Sequence, residues 1–320
     1  MLICFFCVLP EIVEASSSQN GRELLSLQTV SERLGMQYIR LEGGEKALLK
    51  SQWSQLLFQA RKRDFLFNGL KVYLGSPVIE QETGFHISKI DYERTLAPIL
   101  TPQIYKHIPK LYHIILDPGH GGKDTGARNK GRNLKEKSLA LDLAMRLESL
   151  LRKRGYKISL TRREDKFIEL EERSALANRL QADLFVSLHF NAVASGHAHG
   201  IETYAYTPQH QYSTSRDKLS PGDAEHKPAN RNDPWNILLG YHVQKAMIQS
   251  LRSTDRGLKR ARFTVLESLR CPGILVEGGF LSHSAEAAKV ESPGYREQIA
   301  RAIAAGIYRY QKSLNRLRAN

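Results

Sequence analysis

From Tyr112 onward, apolar runs of strand length alternate with longer amphipathic stretches. That alternation confines this part of the chain to an α/β domain built on a mixed, largely parallel sheet flanked by helices. Strands are expected at Tyr112–Asp117, Lys157–Thr161, Asp183–His189, Gly200–Tyr206 and Gly273–Glu277. Helices are expected at Leu134–Lys153, closed by Gly155, and at Leu170–Leu180, Trp235–Leu251 and Tyr295–Leu314. In the first of these helices Leu139, Leu143, Leu147 and Leu150 recur at helical spacing and set one face toward a core. No internal repeat is present. Thr207 to Pro234, rich in Ser, Pro, His, Asn and Asp, reads as a long surface loop.

The chain before Tyr112 is patterned differently. An amphipathic stretch from Leu24 to Leu34 ends at Gly35, a helix stop, and is followed by short strand-like segments at Met36–Leu41, Phe65–Phe67 and Leu70–Leu74. Asn68-Gly69 between the last two is a hairpin signal, because both turn residues must take positive φ. Pro98, Pro102 and Pro109 then punctuate the chain. The organisation read from this is a small α+β module over 16–100, a linker over 101–111 and a larger domain over 112–316. The segment FLFNGLKVYLGSPV…HISKIDYERTLAPIL loosely resembles the copper amine oxidase N-terminal-like modules that accompany secreted bacterial proteins.

Residues 1–15 read as a signal peptide. Leu2 to Pro10 is a short apolar run followed by Val13-Glu14-Ala15, small residues where a signal peptidase cuts, although the usual positive n-region is missing. The run is too short to span a membrane, which takes roughly 20 apolar residues. Cleavage after Ala15 would remove Cys4 and Cys7 and leave Cys271 as the sole cysteine of the mature chain. That excludes an internal disulfide, and Cys271 reads as a small buried apolar residue rather than a nucleophile. A net charge of +14 implies an anionic partner: nucleic acid, an anionic lipid surface or an acidic wall polymer. Export argues against nucleic acid, as does the lack of a dense basic block interleaved with aromatics.

Four stretches carry chemistry. In LDPGHGGKDTGA an apolar strand ends in Asp117-Pro118-Gly119-His120 and runs into a glycine-rich turn. Ligands of open α/β sheets gather at such carboxyl ends of strands, so His120 stands where a metal ligand or general base belongs. The turn lacks the glycine and Ser/Thr spacing of a phosphate loop. Glu136 opens the Leu139 helix, a position that by itself suits a favourable N-terminal charge or a surface residue. In ADLFVSLHFNA the apolar strand Leu184–Leu188 delivers His189 to its carboxyl end, and in PGILVEGGFLSH another buried strand ends with Glu277. Two histidines and a carboxylate meet zinc's demand for three N/O ligands and one open position. An acidic residue closing an apolar strand is costly unless it is paired or chemically employed.

In order and local wording these stretches resemble the zinc-dependent N-acetylmuramoyl-L-alanine amidases of bacterial cell-wall turnover. The likeness runs from Tyr112 to about Tyr310 and includes SLTR (159–162), LEERSALAN (170–178), DRGLKRARFTVL (255–266) and FLSH (280–283). It implies a zinc amidase/carboxypeptidase-like fold, one Zn²⁺ held by His120, Glu136 and His189, and Glu277 as the catalytic carboxylate. The implied route is direct attack by water without an acyl-enzyme, Glu277 taking the water's proton and passing it to the departing amine. Peptidoglycan is the implied partner and the cell envelope or periplasm the implied location. A protein activator is a further candidate partner, while nucleic acid and stable membrane insertion after processing are not expected.

Three positions depart from the commoner family wording: Phe190 where a small residue is frequent, Gly278 where leucine is frequent, and His283 where asparagine is common. They bear on pocket shape and hence on stem-peptide preference. Some members carry an inhibitory helix before the Trp235 helix; Thr207–Pro234 has no helical apolar periodicity, so a flexible loop without such a plug is expected. Arg162 and Arg173 read as structural ion-pair residues. His197 and His199 read as solvated, and His113, His226 and His242 show no partner logic. The alternatives are a zinc peptidase of the wall, which would call for an H-x-x-E pair that His120 lacks, and a non-catalytic peptidoglycan-binding protein. The N-terminal module reads as a targeting or wall-binding accessory.

Overall fold

The structure is a computed structural model that describes residues 17–19 and 22–319. The expected signal peptide, with Cys4 and Cys7, lies outside the described residues. One sheet of eleven strands organises the molecule. Its strands are β1 (Gln37–Arg40), β2 (Lys46–Lys50), β3 (Gln55–Gln59), β4 (Asp64–Phe67), β5 (Leu70–Tyr73), β6 (His113–Pro118), β7 (Lys157–Leu160), β8 (Leu184–Asn191), β9 (Ile201–Tyr206), β10 (Asp255–Ala261) and β11 (Gly273–Phe280), in the order β7-β6-β8-β11-β9-β10-β5-β4-β3-β2-β1. The principal helices are α1 (Leu27–Arg33), α2 (Glu136–Arg152), α3 (Leu170–Arg179), α4 (Asp233–Leu251) and α5 (Pro293–Ala319). A second sheet of four short strands, Ser17–Gln19, Arg22–Ser26, Ile79–Gln81 and Gly84–Ser88, packs with α1.

β7, β6, β8 and β11 run parallel, β9 pairs antiparallel with β11, and β10 runs parallel to β9. The expected mixed, largely parallel sheet with flanking helices is therefore present. Its strands are apolar on both faces because both are covered. On one side Ile114, Leu116, Val186, Leu188 and Val276 pack under α2, α4 and α5; on the other Ile115, Phe185 and Leu275 pack under α3 and a short helix at Thr264–Glu267. In α2 the buried stripe is Leu139, Leu143, Leu147 and Leu151; Leu150, expected inward, is only partly buried.

Two sequence expectations need correction. The Leu24–Leu34 stretch is half strand: Arg22–Ser26 pairs with Gly84–Ser88, and α1 begins only at Leu27, where the Ser26 hydroxyl accepts from the Thr29 amide at 3.0 Å. The polar stretch 207–234 contains no α-helix before Asp233, but it is tied down rather than loose. Asp223 is buried between Arg216 (2.7 Å) and Arg262 (3.0 Å), and the Gln211 amide donates to Asp91 at 2.8 Å.

The Asn68-Gly69 signal is realised, with φ of 48° and 80° closing the β4–β5 hairpin. β5 then pairs parallel with β10 at Val72↔Leu258, so the N-terminal strands extend the main sheet. The seam is apolar. Val72, Phe58, Phe67 and Leu96 share one core with Ala205 and Leu258 of the sheet and with Ile237 and Tyr241 of α4. This is why α4 is apolar nearly all round: Leu239 and Val243 face the first core while Ile237 and Tyr241 face the second. Among the described residues no helix is long and apolar enough to cross a membrane.

Candidate metal centre and catalytic cleft

Three carboxyl-terminal strand ends and one helix start converge. β6 leads into Gly119 and His120, β8 delivers His189, β11 delivers Glu277, and Glu136 is the first residue of α2. The donor atoms of His120, Glu136 and His189 all lie within 4.8 Å of one another. Glu136 is buried and each of its oxygens is fixed twice. Oε1 accepts from His189 Nδ1 at 2.8 Å and the Phe190 amide at 3.0 Å; Oε2 accepts from the Ala127 amide at 2.8 Å and lies 3.0 Å from His120 Nε2. The other nitrogen of His120, Nδ1, meets Asp124 Oδ2 at 2.7 Å, an outer carboxylate that orients the ring.

The loop carrying His120 is held in an uncommon shape. His120 has φ of 61°, a left-handed conformation that costs energy for a residue with a Cβ and persists only when its surroundings enforce it. Arg162 and Arg173 provide that enforcement. Arg162 donates to the carbonyls of Pro118 (3.0 Å) and Gly119 (2.7 Å), and Arg173 to those of Pro118 and His120 (both 2.9 Å). Arg173 also pairs with buried Asp117 at 2.9 Å, as an ion-pair residue should. Arg162 serves backbone carbonyls instead. Gly119 has no substitute here: a Cβ would fall 2.2 Å from His189 Cε1.

Charge is arranged around this trio. Burial alone would raise the Glu136 carboxyl, but hydrogen bonds and charge from the two imidazoles outweigh it and hold the group well below the ordinary range. Burial likewise disfavours charge on His120, and Glu136 and Asp124 overcome it and raise the imidazole. The buried carboxylate set between two imidazoles is a place where one dication could be held. Glu277 neighbours His189 across the β8–β11 ladder, and its Oε2 is buried with no hydrogen-bond partner. Burial, then the charges of Glu136 and Glu202, push its carboxyl well above the usual value, partly opposed by Lys259. A solvent-open cleft of about 530 Å³ joins all four side chains, walled by Phe263 and Arg262.

Sequence reasoning missed two members of this region. Asp124 was hidden in a turn that looked merely glycine-rich. Glu202 faces Glu277 directly in the β9–β11 register and is buried, accepting from Asn191 (2.8 Å), Tyr204 (2.9 Å), Arg256 (2.9 Å) and Lys259. The signal was a carboxylate at the start of the strand-like run Ile201–Tyr206; its partner Lys259 lies in a charged run that gave no strand signal. The remaining histidines stay apart: His113 meets Ser159 at 2.9 Å, His242 meets Ser313 at 3.0 Å, and exposed His199 lies against His283, which caps the helix at Ser284–Glu291. Cys271 is buried and its thiol is pushed up to about 12 by that burial, which leaves it inert. The departures at 190 and 278 form one exchange of volume. The Phe190 ring is fully buried in the core at the base of the cleft, and a Cβ on Gly278 would come 3.0 Å from it, so the ring takes the space that a side chain at 278 would need.

Residues 114–309 match the family model described as N-acetylmuramoyl-L-alanine amidase. The chain belongs to this family. It is 34% identical over 199 residues to the amidase LytC of Bacillus subtilis and 34% identical over 218 residues to the amidase AmiC of Escherichia coli. Each match covers 62% of this chain, but only 35% and 52% respectively of those longer relatives. Among solved structures, the amidase AmiC2 of Nostoc punctiforme is 32% identical with a TM-score of 0.53, covering 63% of this chain and 97% of that one. An amidase from Clostridium difficile 630 is 33% identical, also at 0.53, covering 63% and 98%. The amidase family thus accounts for the catalytic strands and helices and leaves the N-terminal strands unmatched.

Proposed function

We propose that this chain is a zinc-dependent hydrolase that cuts the amide between N-acetylmuramic acid and L-alanine in peptidoglycan. The observation that carries the reading is the convergence of His120, Glu136 and His189 donor atoms within 4.8 Å, with the unpartnered Oε2 of Glu277 beside them in an open cleft. Two imidazoles and one carboxylate are the donor set of a catalytic zinc site with an open position, so the residues fit the ion. When bound, zinc would supply an acidified water and polarise the amide carbonyl.

The protein's own groups do the rest. Asp124 fixes the His120 ring so that Nε2 faces the site, and Arg162 and Arg173 hold the strained turn beneath it. Among the described residues Glu277 Oε2 has no hydrogen-bond partner, so Glu277 is placed to take a proton from the attacking water and return it to the leaving nitrogen of L-alanine.

The substrate places the protein in the cell envelope, and Leu2–Pro10 acts as the export signal in this reading. A protein partner also belongs to it. The CwlD amidase of Clostridioides difficile, 26% identical to this chain, has been solved in complex with the GerS lipoprotein.

The test is release of soluble peptides bearing a free N-terminal L-alanine from purified peptidoglycan, comparing zinc-loaded protein, chelated protein and Glu277→Gln. Release that requires zinc and falls roughly 10²- to 10⁴-fold in the variant, with one zinc still bound per chain, supports the assignment. Absence of any new amino terminus from zinc-loaded protein that still pellets with the wall would instead establish a binding protein.

A further inference from the structure

The face of the sheet that carries Glu277 does not end at the cleft. Phe263 on the cleft wall packs edge-on against Tyr204 of β9 at 5.1 Å; Lys259 of β10 lies 5.7 Å from the Tyr204 ring and 5.6 Å from the ring of Tyr73 on β5. These side chains continue, strand by strand, onto the N-terminal hairpins. There the alternation is plain. Phe58 and Phe65 are buried in the core shared with α1 and α4, whereas Leu57 and Leu66, a directly opposed pair, lie on the outer face, with no helix over them among the described residues. From β11 to β3 is five strand steps, about 24 Å, the span of a polymer rather than of one cleavage site.

This outer face is shaped and charged. A depression of about 410 Å³ is floored by Leu57 and Leu66 and ringed by Lys46, Lys62, Lys71 and Asp64. Three ammonium groups face one carboxylate there, and none of the three lysines is ion-paired with a described carboxylate.

We infer that the open face of β2–β5 is a substrate track for a peptidoglycan strand engaged at Glu277. Its lysines take the free carboxylates of neighbouring stem peptides, and its leucines take their aliphatic parts. The inference rests on the amidase reading, since that reading supplies the anionic polymer, and two features of the molecule support it: continuity with the cleft, and the positive charge that complements carboxylates.

The experiment uses the full chain stripped of metal, so that nothing is cut, and soluble uncrosslinked peptidoglycan chains as the probe. Affinity is measured for the wild type and for Lys46→Glu/Lys62→Glu/Lys71→Glu, with native chains and with chains whose carboxylates have been amidated. The triple variant should bind native chains about tenfold more weakly, and the wild type should lose the same factor on amidated chains. Equal affinity of variant and wild type, or indifference to amidation, overturns the track.

Acetylation of the wild type guards against a misfolded variant. Native chains should protect Lys46, Lys62 and Lys71 but leave Lys245 and Lys312, on the opposite face, reactive. Protection of those lysines by anionic lipid vesicles and not by peptidoglycan also overturns the proposal. Peptide release by zinc-loaded wild type is scored separately. Release without lysine protection sinks the track and leaves the amidase; protection without release sinks the amidase and leaves a wall-binding face.

Discussion

The two ends of the one sheet cover themselves in different ways. β6, β8 and β11 are sandwiched between helices, and every residue of β6 is buried. β2 to β5 form an antiparallel meander with one face on a core shared with α1, the small sheet and α4, and the other uncovered among the described residues, so burial alternates along each strand. Doubly covered strands are held from both sides, and their carboxyl ends make rigid mounts for His189 and Glu277. Singly covered strands are free to present a surface. The sharpest check on this contrast lies in one strand. Phe58→Ala, which removes a fully buried ring stacked on Phe65 at 4.8 Å, should cost about 3–5 kcal/mol in urea unfolding. Its neighbour Leu57→Ala should cost about 1 kcal/mol or less. Equal losses would mean that both faces are covered and the contrast is wrong.

The seam between the two regions offers the next test. Leu258 is fully buried and touches both sides of it, pairing with Val72 and packing near α4. Leu258→Ala should cost about 2–5 kcal/mol and lower the midpoint of one cooperative transition monitored by both fluorescence and circular dichroism. Two separated transitions in the variant would show that the N-terminal strands unfold on their own.

The same difference in covering explains what could be read from the residues alone. Buried parallel strands announce themselves as unbroken apolar runs, and amphipathic helices by their period, so β6, β8, β11 and α2 were legible to within a few residues, and with them the strand-end places of His120, His189 and Glu277; Glu136 by itself read as a helix-start charge, and only the family resemblance joined it to the histidines. Half-covered strands alternate and carry lysines, so Lys46–Lys50 and Gln55–Gln59 gave little signal. β10 was invisible as a strand because its charged residues, Lys259 and Arg260, are buried against partners far away in sequence, Glu202 and the carbonyl of Arg94. Pairings of that kind are set by tertiary structure. The anchoring of 207–234 by Asp223 was unreadable for the same reason.

A smaller effect should appear in the pH dependence of the seam. Asp233, at the start of α4, is buried, and that burial raises its carboxyl to about 6 despite Arg260, the Asn230 amide, Arg94 and His226 nearby. A raised acid binds its proton more tightly in the folded than in the unfolded state, so this group's contribution to stability is fullest below pH 3.8 and is lost as pH rises to about 6. Asp233→Asn removes that loss. The stability of the variant relative to wild type should therefore climb between pH 4 and 6, by on the order of 2–3 kcal/mol, and stay level above it. A difference that shrinks with rising pH would mean that Arg260 holds the carboxylate ionised.

The smallest effect belongs to the doubly covered region, where rigidity depends on hydrogen bonds beyond the donor atoms themselves. Among the described residues the Asp124 carboxylate meets only Nδ1 of His120 and the Gly126 amide (3.0 Å), so Asp124→Ala leaves the three proposed ligands in place and frees the ring to rotate. Zinc affinity, read by competition with a chelator, should fall roughly 10- to 100-fold. Overall stability should change little, because the Asp124 side chain is only half-buried and the turn is still held by Arg162 and Arg173. If affinity is unchanged, the left-handed backbone at His120 suffices to aim the imidazole and the outer carboxylate is dispensable. If the protein unfolds instead, Asp124 supports the turn rather than the metal.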